Sequence, residues 1–221
     1  MKSIIKMTLA ELEDYIASYG SAVSWMSWME ISKNLNLTET FIERHADKVD
    51  WSWISKCQKL SEKFIERHAD KVDWEYISMC QKFSESFIER YADEVDWHCI
   101  SEYQNLSESF IEKHANKVHW GCISKYQKLS ETFIEKHADK ADWGWISAYQ
   151  KLSAAFIEKH ADEVDWDWVS KYQKLSEAFI ERYTNILHIP FINDSWNYKS
   201  ADFKKAAVEA TGLYECYEDF F

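Results

Sequence analysis

Five histidines, His45, His68, His114, His137 and His160, fall on one 23-residue register, a regularity that invites a metal-binding or proton-relay reading. Tyr91 and Tyr183 hold the same position elsewhere in the chain, so the place calls for a planar ring with a polar tip. A packed, hydrogen-bonded core ring meets that requirement better than a ligand does. His98 and His188 lie off this register, as does His119, which stands where other copies carry an Asp. Glutamate also recurs, at Glu43, Glu66, Glu89, Glu112, Glu135, Glu158 and Glu181, each followed by Arg or Lys. Carboxylates can do general acid and base work, yet no nucleophile or oxyanion donor recurs beside them. Identical residues stacked above one another would repel, so a Glu column next to an Arg/Lys column predicts ion pairs between successive copies.

A third register carries Trp28, Trp51, Trp74, Trp97, Trp120, Trp143 and Trp166. Aromatic rows can stack single-stranded bases, but a basic groove for the phosphates is missing, and a core spine is expected instead. Ser55, Ser78, Ser101, Ser124, Ser147 and Ser170 read as small residues for close helix approach. Gln58, Gln81, Gln104, Gln127, Gln150 and Gln173 read as amides that satisfy loop backbone groups. Cys57 and Cys80 share one repeat position and Cys99 and Cys122 another, with Cys216 apart. An odd total without a Cys-x-x-Cys predicts free thiols rather than zinc or a disulfide framework. No catalytic residue, metal or cofactor is expected.

The elements that must position these columns are copies of one unit. Six run from Phe41 to Ala178, reading Phe-Ile-Glu-Arg/Lys-His/Tyr-Ala-Asp-Lys-Val-Asp-Trp-x-x-Ile-Ser-x-Tyr/Cys-Gln-Lys-Leu-Ser-Glu-x. Each contains two helix starts. Ser61 caps one, with Leu60 set to pack on Ile65; Asp73 caps the other, with Val72 set to meet Ile77. Two starts per copy leave about eight or nine residues for each helix, too few to be stable alone. The expected fold is therefore an all-α solenoid of short helical hairpins with caps at both ends. Residues 1–40 read as a degenerate first copy, with three extra residues around Tyr19-Gly20-Ser21. Residues 179–221 read as a partial copy broken at Pro190, then a helix over 201–211 capped by Ser200 and stopped by Gly212, then an acidic and aromatic capping tail.

Composition narrows the function. A net charge of −12 argues against nucleic-acid or anionic-membrane binding through bulk electrostatics and favours a partner with a basic surface. Copy three, Phe87 to Ser109, holds six acidic residues and one basic, whereas copy four, Phe110 to Thr132, holds two acidic and four basic. No apolar run is long enough to span a membrane, and the N-terminus lacks a signal-peptide core, so a cytoplasmic protein is expected. The copies disagree along one exposed stripe of the second helix, and recognition is expected there. It comprises Ser52, Glu75, His98, Gly121, Gly144 and Asp167, with Lys56, Met79, Glu102, Lys125, Ala148 and Lys171 four residues further on. On the same helix only Glu75, Met79 and Lys82 are expected to point clearly outward, with Tyr76 and Cys80 forming a second buried stripe.

The phrase Val-Asp-Trp-x-x-Ile-Ser-x-Tyr-Gln-Lys-Leu-Ser-Glu-x-Phe-Ile resembles a family of short tandem repeats of giant viruses and bacteriophages, over about residues 28 to 183. Ser195 through Tyr217 resembles the start of the C-terminal segment such proteins carry. The resemblance brings no catalytic residues. It implies a viral protein in the host cytoplasm, where an acidic solenoid binds and blocks a host protein. Two alternatives stay open: mimicry of nucleic-acid phosphates to inhibit a DNA- or RNA-binding enzyme, and a small-ligand sponge with pockets between stacked rings.

Overall fold

The computed structural model describes residues 7–188. The expected cap at Ser200, the helix over 201–211 and the acidic tail lie outside the described residues. What is described is helical, without a strand. The first copy supplies α1 (Leu9–Tyr19) and α2 (Trp25–Asn34), joined by a 3-10 turn over Gly20–Ala22. Gly20, at φ +49°, ends α1 in the left-handed region that other residues avoid.

Thereafter two helix types alternate. The first type comprises α3 (Glu39–Arg44), α5 (Glu62–Arg67), α7 (Glu85–Arg90), α9 (Glu108–Lys113), α11 (Glu131–Lys136), α13 (Ala154–Lys159) and α15 (Glu177–Tyr183). The second comprises α4 (Trp51–Cys57), α6 (Trp74–Cys80), α8 (Trp97–Tyr103), α10 (Trp120–Tyr126), α12 (Trp143–Tyr149) and α14 (Trp166–Tyr172). This alternation is an α-solenoid of helical hairpins. The chain divides into two compact units, Met1–Leu106 and Ser107–Phe221. Within the first, α2, α4, α6 and α8 pack on one another in succession; within the second, α10, α12 and α14 do so.

Helices α3 and α5 have six residues and α4 and α6 have seven, shorter than expected. The first type ends because its ring residue turns out of the helix: His68 is the C-cap of α5 at φ −124°, and Tyr91 that of α7 at φ −111°. The second type ends at its glutamine, extended in Gln58, Gln81 and Gln104. Starts follow the sequence signals. Ser61 and Asp73 each accept the backbone N–H three residues on. Where copy four lacks the Asp, His119 caps α10 by accepting the Cys122 N–H on Nδ1 at 3.2 Å.

Such short helices persist because each copy is bonded to its neighbour. Gln81 is buried and clasps the preceding copy at three points: its amide nitrogen donates to the Ser55 and Gln58 carbonyls (3.3 and 2.7 Å), and its oxygen accepts the Leu60 N–H (3.1 Å). In the second unit Gln150 makes the same three bonds to Ser124, Gln127 and Leu129. The serine column does more than save space. Ser78 Oγ donates to the Trp74 carbonyl at 2.6 Å and accepts the Asp96 N–H of the next copy at 3.0 Å. Ser147 relays between Trp143 and Asp165 in the same way. Around this polar seam Phe64, Ile65, Ile77, Phe87, Ile88 and Ile100 are wholly buried, each contributing roughly 2–3 kcal/mol of apolar transfer.

Candidate functional site

The recurring residues that could have carried chemistry are engaged with one another. Trp51 lies 5.0 Å from the His68 ring and 6.2 Å from Phe64, and Phe64 lies 4.6 Å from His68. Trp120, Phe133 and His137 repeat that cage in the second unit. Each indole N–H is satisfied locally, Trp51 by the Ala46 carbonyl at 2.9 Å and Trp143 by that of Ala138 at 3.2 Å. The tryptophans from Trp51 onward are half-buried, so the spine forms one edge of the core rather than its centre.

The histidines are packed as expected but are not fully hydrogen-bonded, a correction to the sequence reading. Nε2 of His68, His137 and His160 is buried without a hydrogen-bond partner. The cage explains it: two aromatic faces hold the ring, and at His68 the Glu43 carboxylate stays 3.9 Å from Nε2, beyond hydrogen-bond reach. Burial, ahead of nearby Lys and Arg, pushes the His45 pKa below its ordinary value. Burial also pushes His68 down, partly opposed by the Glu43 carboxylate.

The glutamate column is an ion-pair ladder between copies. Arg67 meets Glu43 at 3.4 Å and Arg182 meets Glu158 at 2.7 Å; Arg90 pairs with Glu66, Lys136 with Glu112 and Lys159 with Glu135. The lysine hydrogen bonds hold the Glu112 and Glu135 carboxyls below the usual range. On α1, Glu13 serves as the first rung by accepting Arg44 at 2.8 Å.

The variable stripe is exposed or half-buried, with one exception. In the first unit Ser52, Lys56, Glu75 and His98 are exposed, and Met79 and Glu102 are half-buried. In the second Asp167 and Lys171 are exposed and Gly121, Lys125 and Gly144 half-buried, while Ala148 is buried. Several stripe residues already have contacts: Ser52 Oγ donates to Asp73 at 3.3 Å, and His188 lies 3.5 Å from Asp167. Lys56 Nζ sits 4.7 Å from the Tyr76 ring centroid, and Lys125 Nζ lies 4.2 Å from Trp145, 4.8 Å from Tyr126 and 5.6 Å from Tyr149.

A second column on this surface was misassigned from sequence. Cys57 and Cys80 are exposed, not buried, and Tyr126, Tyr149 and Tyr172 expose 47%, 55% and 46% of their surface. Tyr103 is exposed in the first unit. These residues are the last of their helices, and a seven-residue helix carries its final side chain past the packed layer. Their spacing gave the signal: the position lies 240° around a helix from the half-buried spine tryptophan. Trp145 and Tyr149 lie 5.6 Å apart, Tyr149 and Tyr172 6.4 Å, and Trp168 and Tyr172 5.3 Å, so the four rings form a continuous row that is half-buried at the tryptophans and exposed at the tyrosines.

The four described cysteines are free thiols. Asp96, His98 and Cys99 bring donor atoms within 4.8 Å of one another. That trio is poorly suited to a cation: Asp96 is occupied in capping α8, and burial with Asp96 beside it pushes the Cys99 thiol up to about 12. Among the described residues no helix is long and apolar enough to cross a membrane. The fold thus defines an α-solenoid repeat protein whose second-type helices, in each unit, carry varied positions and exposed tyrosines. Compared with family models, curated proteins and solved structures, the chain matches none.

Proposed function

We propose that this chain is a non-enzymatic protein-interaction scaffold whose second-type helices present the binding face. The exposed tyrosine row, Tyr126, Tyr149 and Tyr172, beside the positions where copies differ, carries this reading. Tyrosine offers large contact area at low entropic cost and dominates many interfaces. The partner has a basic surface, as the net charge of −12 favours, and the viral resemblance makes it a host protein that the scaffold inhibits. Phosphate mimicry is less favoured, because the carboxylates of copies two and three are spread over helix α5 (Glu66), two loops (Asp70 in one, Asp93 and Glu94 in the other) and helix α6 (Glu75), and Glu66 is matched by Arg90.

The test is a nuclease-treated pull-down from host lysate with a salt ramp, run with the wild type and with a Tyr126→Ser/Tyr149→Ser/Tyr172→Ser variant. One host protein released from the wild type at moderate salt and lost from the equally stable variant is expected. Retention unchanged in the variant, or nothing retained by the wild type, overturns the reading.

A further inference from the structure

In four of the six copies the residue three places after the ring position is a lysine, and in copies one, two and five it lies over a tryptophan. Lys48 Nζ lies 5.9 Å from the Trp28 centroid, Lys71 5.7 Å from Trp51 and Lys140 5.6 Å from Trp120. The fold therefore builds one seat per copy in which an ammonium rests against an indole. Copies three and six break the pattern, with Glu94 and Glu163 in place of lysine.

The two exceptions differ. Glu163 lies 3.6 Å from His160 Nδ1 beside Trp143, so its carboxylate has a companion from the ring column. At Trp74 the ring position is Tyr91, which offers no such base; the two rings stack at 5.0 Å and 30°. Here a cleft of about 640 Å³ opens, lined by Trp74, Tyr91, Asp70, Asp93, Glu94 and Arg90 among others. Its cationic group is committed elsewhere, since the Arg90 guanidinium pairs with Glu66. The indole is fixed by its own bond to the Ala69 carbonyl at 3.1 Å.

We propose that this cleft binds an alkylammonium cation, which takes the place that lysine fills in the other copies. The ammonium rests on the Trp74 face and donates to the Asp70 and Glu94 carboxylates, while its alkyl chain lies along Tyr91. A cation held by an aromatic face and by charge-assisted hydrogen bonds prefers an ammonium with N–H groups over a quaternary one. The volume lies within the range of small-molecule sites and admits a chain of several carbons. This site stands on its own geometry and does not require the protein-scaffold reading.

The test uses the full chain labelled with 15N, following the indole N–H resonance of Trp74, assigned by its disappearance in Trp74→Phe. The probes are n-butylammonium, spermidine and a blocked lysine tripeptide, with N-butylacetamide as the uncharged control. A saturable shift of the Trp74 resonance with the cations and none with the control is expected. A shift with the tripeptide as strong as with the amines assigns the seat to a lysine side chain; a shift with the amines alone assigns it to a free amine; both uphold the ammonium chemistry. Glu94→Lys restores the residue that copies two and five carry, so it folds, its own ammonium occupies the seat, and affinity for the probes falls about tenfold or more. Glu94→Gln keeps the shape and weakens binding less. Absence of a saturable shift in the wild type, or equal affinity in Glu94→Lys, overturns the proposal.

Discussion

The seam between successive copies and the outer face of the second-type helices are built from the same 23-residue unit under opposite rules. At the seam Gln81 and Ser78 exchange hydrogen bonds with backbone groups that would otherwise be buried unpaired. On the outer face residues such as Tyr149 and Lys171 lie open to solvent. Sameness in this chain therefore marks where polar groups must be matched from one copy to the next, and variety marks where no such matching is imposed. For a repeat protein, a column of identical polar residues is thus weak evidence for chemistry.

The contrast is broken most severely at the glutamine. Gln81→Leu leaves two carbonyls and one N–H buried without partners and should cost about 3–5 kcal/mol in urea denaturation. Ser78→Ala strands only the Asp96 N–H and should cost about 1–2 kcal/mol by the same measurement. A loss under half a kilocalorie for either variant would mean that water enters the seam.

The seam was largely legible beforehand because its signals are local. Caps at Ser61 and Asp73, the burial of Leu60, Ile65, Val72 and Ile77 and the glutamine's role follow from residue type and spacing alone. The outer face was not. The stripe of Tyr76 and Cys80 reads from sequence as lying beside the core, yet Cys80 is exposed, because a helix of seven residues leaves its last side chain uncovered. Helix length was overestimated because the turn-out of His68 and its equivalents depends on docking against Trp51, a contact made 17 residues away. For the same reason the unpartnered Nε2 was missed: residue type says that a histidine can bond, and only packing says whether anything is there to bond.

Acidification acts on the seam more gently. Burial holds the His68 pKa below 6.5 in the folded chain, whereas the unfolded chain has the ordinary value, so the unfolded state takes up protons first as pH falls. Stability should be complete above about pH 6.5 and decline as pH drops from there toward the folded-state pKa. His68→Tyr, which installs the residue found at Tyr91, should make denaturation midpoints less sensitive to pH over that interval. Equal pH dependence in the two proteins would show that His68 is not desolvated in the folded state.

The smallest effects on stability belong to exposed groups. Arg90→Ala removes its ion pair with Glu66 and should change stability by about 0.5 kcal/mol or less, and less still at high salt. Tyr149→Ser should likewise leave the denaturation midpoint nearly unchanged, within about 0.5 kcal/mol, while weakening capture of the partner. A large stability loss from Tyr149→Ser would place that ring in the frame and erase the distinction between the two regions.

The clasp made by Gln81 reaches back one copy and no further, to Ser55, Gln58 and Leu60, and Gln150 grips Ser124, Gln127 and Leu129 by the same rule. A copy consequently asks of the chain only like neighbours: a predecessor for its glutamine to clasp and a successor whose glutamine clasps it. Unequal crossing-over that duplicates or deletes 69 nucleotides, about one unit of coding sequence, leaves every remaining junction intact. Copy number can therefore drift between lineages as a heritable length, and the array can lengthen or shorten without any compensating substitution.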